Sequence, residues 1–110
     1  KKSDNCQDLM PAIVGYIDAN YGDGELSLAK VAGVFNISEP YLSSIFKQSM
    51  GINFSSYVGS VRIDKAKEML KQTNMSVGDI ALATGYYSAN SFCRAFKRVT
   101  GLSTTEYRKS

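Results

Sequence analysis

With 110 residues, 44% of them apolar, the chain can build one ordinary domain or two very small ones. It has no histidine, the commonest general base and metal ligand, and no apolar run nears the roughly 18 to 20 residues needed to span a bilayer, so His-based catalysis and a membrane partner drop out. The net charge of +3 is unevenly spread: residues 1–52 hold four lysines against six acidic residues, whereas 53–110 hold nine Lys and Arg against four, which points the second half toward a polyanion.

The opening "KKSDNCQD" is polar and unpatterned, so residues 1–7 are expected to be a linker remnant from a longer protein. With no signal peptide in view, a cytoplasmic location is expected. Cys6 and Cys93 lack CxxC spacing, and two reduced thiols are the expectation. Leu9, Ile13, Ile17 and Tyr21 then recur at helical spacing and predict a helix over 8–21, ended by "GDG" at 22–24. Ser27 caps a short helix with Leu28, Val31, Ala32 and Phe35 inward, and Asn36 ends it. Ser38 caps the next, where Pro40 is tolerated because first-turn amides have no intrahelical acceptor.

After Gly51, Asn53 caps the longest segment, 54–72, with Phe54, Tyr57, Val58, Val61, Ala66, Met69 and Leu70 inward; its 19 or so residues make a rod about 28 Å long. Lys65, Lys67 and Lys71 fall on its solvated face. Ser76 caps a helix over 77–84 with Asp79 in its first turn, Gly85 closes it, Ser88 caps the helix that follows, and Ser103 with Glu106 predicts a capping box for a last short helix. Nothing alternates with a period of two, so the chain reads as all-α: a first subdomain over 8–52, a linker helix over 53–72 and a second subdomain over 73–110.

The two subdomains repeat each other. Ser27, Val31, Ala32 and Asn36 match Ser76, Ile80, Ala81 and Gly85 at an offset of 49, and Ser38, Leu42, Phe46, Gly51 and Tyr57 match Ser88, Phe92, Phe96, Gly101 and Tyr107 at 50. Each copy has the outline of a helix-turn-helix, with Asn36 or Gly85 at the turn position that needs a positive φ. A helical hairpin that only packs would carry the same outline. In the second helix of each copy, Phe92, Phe96 and Val99 turn inward against Asn90, Cys93, Arg94 and Lys97, while Leu42, Ile45, Phe46 and Ser49 turn inward against Pro40, Ser43, Ser44 and Lys47. Short polar outer faces with basic ends suit a DNA major groove, and a 28 Å rod is comparable with the roughly 34 Å turn of a duplex.

From 79 to 108, "DIALATGYYSANSFCRAFKRVTGLSTTEYR" resembles the signature of the AraC/XylS family of bacterial transcription regulators, and "YVGSVRIDKAKEML" over 57–70 resembles that family's linker helix, with its usual arginine at Arg62. The resemblance implies seven helices in two homeodomain-like helix-turn-helix units, no catalytic activity and no cofactor. It implies a double-stranded DNA operator as partner, with RNA polymerase and a separate sensor or dimerisation domain as further candidates. Carried over by position, base reading falls to Pro40, Ser43 and Ser44 in the first copy and to Ala89, Asn90, Cys93 and Arg94 in the second. Lys47, Lys97 and Arg98, with the helix starts at Ser38 and Ser88, are expected on phosphates. Arg62 and Asp79 are expected to form a structural ion pair. The chain departs from the family where Ser44 replaces a common arginine, where Pro40 replaces a hydrogen-bonding residue, and where Thr104 replaces the proline that usually follows Ser103. A protein-interaction module would instead need apolar anchors on the outer faces, and a cysteine enzyme would need a base beside Cys93.

Overall fold

The computed structural model describes residues 5–110, with side chains from Leu9 onward. It contains seven helices, α1 (Asn5–Asn20), α2 (Leu28–Val34), α3 (Glu39–Met50), α4 (Phe54–Gln72), α5 (Val77–Ala83), α6 (Ala89–Thr100) and α7 (Thr104–Lys109), and no strand among the described residues. Helix α1 starts at Asn5 instead of residue 8, so Pro11 lies inside it and forgoes one backbone hydrogen bond. Of the expected linker remnant, residues 1–4 and the side chain of Cys6 lie outside the described residues.

The helix boundaries come from local chemistry. Hydroxyls of Ser27, Ser38, Ser76, Ser88 and Ser103 each accept the amide three residues on, and Asn53 Oδ1 accepts from Ser56 at 2.8 Å. Ser103 and Glu106 close a reciprocal capping box, with the Ser103 amide donating to Glu106 Oε1 at 3.0 Å. Asn36 takes φ 60° and Gly85 φ 93° after the two first helices, while Gly51 and Gly101 take 80° and 83° after the two second ones.

The chain divides into two compact units. The first comprises residues up to Asn20 together with Glu25–Val58; the second comprises Tyr21–Gly24 and Gly59–Ser110. These boundaries differ from the expected 52 and 73 because α4 is no independent linker. Its opening turn, Phe54 and Val58, is buried in the first core, and its remainder, Ile63, Ala66 and Leu70, in the second. In the first unit Phe46 is fully buried at 5.6 Å from Phe54 and 5.5 Å from Tyr57. In the second, Phe96 is fully buried at 5.7 Å from Phe92 and 5.4 Å from Tyr107. The repeat therefore extends to packing, with the start of α4 standing for α7 and Thr104, buried, standing for Phe54. Burying each phenylalanine is worth about 1.5 to 3 kcal/mol.

Some inward assignments change. Ser49 and Val99 are exposed, and Met50 and Thr100 turn inward in their place. Val61 is half-buried while Ile63 is fully buried, and Thr84 is buried with its hydroxyl donating to the Ile80 carbonyl at 2.8 Å. Lys65 and Lys71 are more than a solvated face: their ammonium groups lie 5.8 Å and 5.0 Å from the ring centroids of Tyr21 and Tyr107. Lys67 pairs with the Asp64 carboxylate at 3.9 Å, and the Lys71 ammonium also donates to Ser110 O and Oγ.

Arg62 and Asp79 form no ion pair. Asp79 is exposed, and Arg62 is half-buried, with Nε and Nη2 donating to the carbonyls of Tyr21 at 2.9 Å and Asp23 at 3.0 Å. Carbonyls past a helix end lack intrahelical donors, and a guanidinium fork satisfies two at once. Arg108 does the same at the end of α4, donating to Leu70 and Thr73 at 3.0 Å each.

Candidate nucleic-acid interface

Helix α6 is held by one face. Phe92, Ala95 and Phe96 are buried, and at about 100° per residue Arg94 stands opposite the midpoint of the two phenylalanines. Asn90, Arg94, Lys97 and Arg98 are all exposed on that side, Ala89 is exposed at the helix start, and the helix carries no acidic residue in its first turn. The side chains of Arg94, Lys97 and Arg98 make neither an ion pair nor a hydrogen bond among the described residues. Three cations on a single exposed face, none in an ion pair, attract an anion.

Cys93 departs from the expected outward placement. It is a free, half-buried thiol packed against the second core, and it also lines an open depression of about 530 Å³ with Arg94, Lys97, Arg98, Ser103 and Thr104. Lys97, on its lining, acts electrostatically on Glu106. The Ser103 backbone amide, then the Ser103 hydroxyl, hold the Glu106 carboxyl below the usual carboxylate range, and the Lys97 charge helps. Tyr86, half-buried beside α6, has its phenol pushed up by burial, opposed by the charges of Arg62 and Arg98.

Helix α3 offers a different face. Leu42, Ile45 and Phe46 are buried, and the position opposite Leu42 and Phe46 is Ser44, the counterpart of Arg94. Pro40, Ser43, Ser44 and Lys47 are exposed, with Lys47 the one cation. The helix starts differ as well. At α6 the Ser88 hydroxyl takes the Ser91 amide and leaves those of Ala89 and Asn90 outside the cap, whereas at α3 the Ser38 hydroxyl takes the Tyr41 amide, Pro40 has none, and Glu39 adds a negative charge. Two further exposed aromatics beside these helices, Tyr41 on α3 and Tyr87 before α6, were not marked by the repeat, because each faces a serine in the other copy or stands in the longer second turn.

A family model described as a helix-turn-helix domain matches residues 31–110. Among curated relatives, the uncharacterized HTH-type transcriptional regulator YijO of Escherichia coli (strain K12) is 39% identical over 103 residues, covering 94% of this chain and 36% of that protein. The chain spans only 11% to 36% of the length of the first relatives it matches. Among solved structures, the C-terminal domain of AraT, a response regulator from Geobacillus stearothermophilus, superposes with a TM-score of 0.89 at 34% identity, covering 90% of this chain and 82% of that one. A transcriptional regulator with an AraC-type DNA-binding domain from Chromobacterium violaceum superposes with a TM-score of 0.84 at 28% identity, covering 94% and 91%. A duplicated, serine-capped helix-turn-helix whose second copy bares three unpaired cations thus coincides with a family match over most of its length, and the chain belongs to the AraC-type helix-turn-helix domain family.

Proposed function

We propose that this chain is the DNA-reading part of a longer bacterial transcription regulator that acts in the cytoplasm. The observation that carries the reading is the outer face of α6, where Arg94, Lys97 and Arg98 are exposed and unpaired opposite two fully buried phenylalanines. In this reading α6 lies in a major groove. Arg94 forks onto guanine O6 and N7, Asn90 pairs with an adenine edge, and Ala89 and Cys93 supply small apolar contacts for a thymine methyl. Lys97 and Arg98 neutralise phosphates, and the amides at the helix start next to Ser88 join them. Helix α3, with Pro40, Ser43 and Ser44 outward, follows the surface of its own groove with fewer hydrogen bonds, held by Lys47 and the helix start at Ser38.

One chain would then engage two stretches of one duplex. Because Ser44 and Arg94 differ, the two stretches need not be symmetric. Further domains, which sense a signal or dimerise, would lie in the remaining length of the full regulator. RNA polymerase would be a further partner of the full regulator.

Selection of duplexes from a random pool, followed by binding across a salt series, tests the reading. Expected are two enriched stretches about one helical turn apart and an affinity that falls steeply with salt. Binding indifferent to both sequence and salt would overturn it.

A further inference from the structure

Tyr21–Gly24 lies between α1 and α2 in sequence but packs as part of the second unit. Its partner is the turn between α5 and α6. Arg62 donates to two of its carbonyls, at Tyr21 and Asp23, and sets its guanidinium 5.7 Å from the centroid of the Tyr86 ring. That ring lies 5.5 Å from Phe92, the first buried residue of α6. The Tyr87 hydroxyl donates to the Gly24 carbonyl at 3.1 Å, although 75% of Tyr87 is exposed.

The approach leaves no room for side chains. A Cβ on Gly22 would stand 2.6 Å from the Ala83 carbonyl oxygen, and one on Gly85 would stand 2.6 Å from the Tyr21 carbonyl oxygen and 2.7 Å from Arg62 Nε. The first copy shows that a helix-turn-helix does not require this. Its equivalent turn residue, Asn36, has a positive φ as well, but it carries a side chain and is exposed, whereas Gly85 is buried. The brace belongs to the copy whose outer face holds the arginine and the asparagine.

We infer that the Tyr21–Gly24 turn braces the α5–α6 turn and so fixes the angle at which α6 meets DNA, with Arg62, Gly22 and Tyr87 as positioning residues acting through α6. The inference rests on the DNA-reading role proposed above. A fork onto two carbonyls constrains direction as well as distance, and base-edge hydrogen bonds tolerate little rotation of the helix that carries them.

The test uses the best duplex from the random pool and two derivatives, one scrambled in the stretch that Arg94→Ala relaxes and one scrambled in the other stretch. Arg62→Lys keeps the charge and loses the fork. Tyr87→Phe loses one surface hydrogen bond and keeps the ring, so it folds even where Arg62→Lys does not. At a temperature where circular dichroism shows each variant folded, Arg62→Lys is expected to lose about tenfold in discrimination of the α6 stretch, and Tyr87→Phe about two- to threefold, with discrimination of the α3 stretch unchanged. Equal weakening on all three duplexes, or full discrimination in the folded variants, overturns the brace. If the unmodified chain itself shows no preference among the duplexes, the DNA-reading proposal falls and the brace with it.

Discussion

Arg94 and Lys97 are one helical turn apart on the same exposed face, yet they are expected to fail differently when removed. Arg94 occupies the centre of the outer face, and in the proposed reading its side chain reaches base edges, so Arg94→Ala should cost about 1 to 3 kcal/mol on the selected duplex and relax preference at one position. Lys97 sits at the rim, beside Glu106, and Lys97→Ala should weaken every duplex alike and flatten the salt dependence by about one unit. Binding titrations on selected and scrambled duplexes at several salt concentrations check both; uniform weakening by Arg94→Ala would contradict its base-reading role. The exposure of these residues was legible in the sequence because two buried phenylalanines four residues apart fix which side faces out. The half-burial of Cys93 was not, since a residue on the flank of a helix is covered or left bare by its neighbours, here the second core.

Helix ends were the most legible elements, because a serine cap or a positive-φ glycine is a local device whose signal lies within three residues. Glu106 illustrates how such a device couples to pH. Its carboxylate accepts the Ser103 amide in the folded chain, so its folded pKa lies below its unfolded one; the folded state binds fewer protons, and the contribution is present above the ordinary carboxylate range and lost as pH falls through the folded value. Glu106→Gln keeps an acceptor and removes the titration. The melting-temperature advantage of the unmodified chain over this variant should therefore shrink between about pH 6 and pH 3, and a constant gap would contradict the assignment. The two glycines of the second copy make a second contrast. Gly101→Ala should cost about 1 to 2 kcal/mol from its φ of 83° alone, since nothing lies within 4 Å of an added Cβ. Gly85→Ala adds a collision with a backbone carbonyl and should cost roughly 3 kcal/mol or more by denaturant unfolding. The sequence marked both glycines by the same conformational need and could not separate them, because the difference arises from Tyr21 and Arg62, far away in the chain. For the same reason the partner of Arg62 was misread: Asp79 offered an opposite charge in the second unit, and carbonyls after α1 leave no trace in residue types.

At the scale of the whole molecule, the repeat was legible, but its seam was not. Helix α4 has one continuous apolar stripe, and periodicity does not reveal that the stripe passes from one core to the other between Val58 and Gly59. The chain is in effect two four-element units in which α4 closes the first and opens the second, each organised around one fully buried phenylalanine, Phe46 or Phe96. Cores this small have little stability to spare. Truncating either phenylalanine removes about 3 to 5 kcal/mol, enough to open the unit that holds it. Since the two buried clusters share no residue, Phe46→Ala should strip amide-exchange protection from α2 and α3 and leave α5 and α6 protected, and Phe96→Ala should do the reverse. Hydrogen exchange resolved by segment measures this directly. The DNA arm of the same experiment is asymmetric: Phe46→Ala should leave a chain that still prefers the stretch read by Arg94 but protects a shorter footprint, whereas Phe96→Ala, having lost the face with three cations, should lose sequence preference and most of its salt dependence. Simultaneous loss of protection in all helices after either substitution would mean that α4 transmits unfolding from one core to the other, and that the two readers stand or fall together.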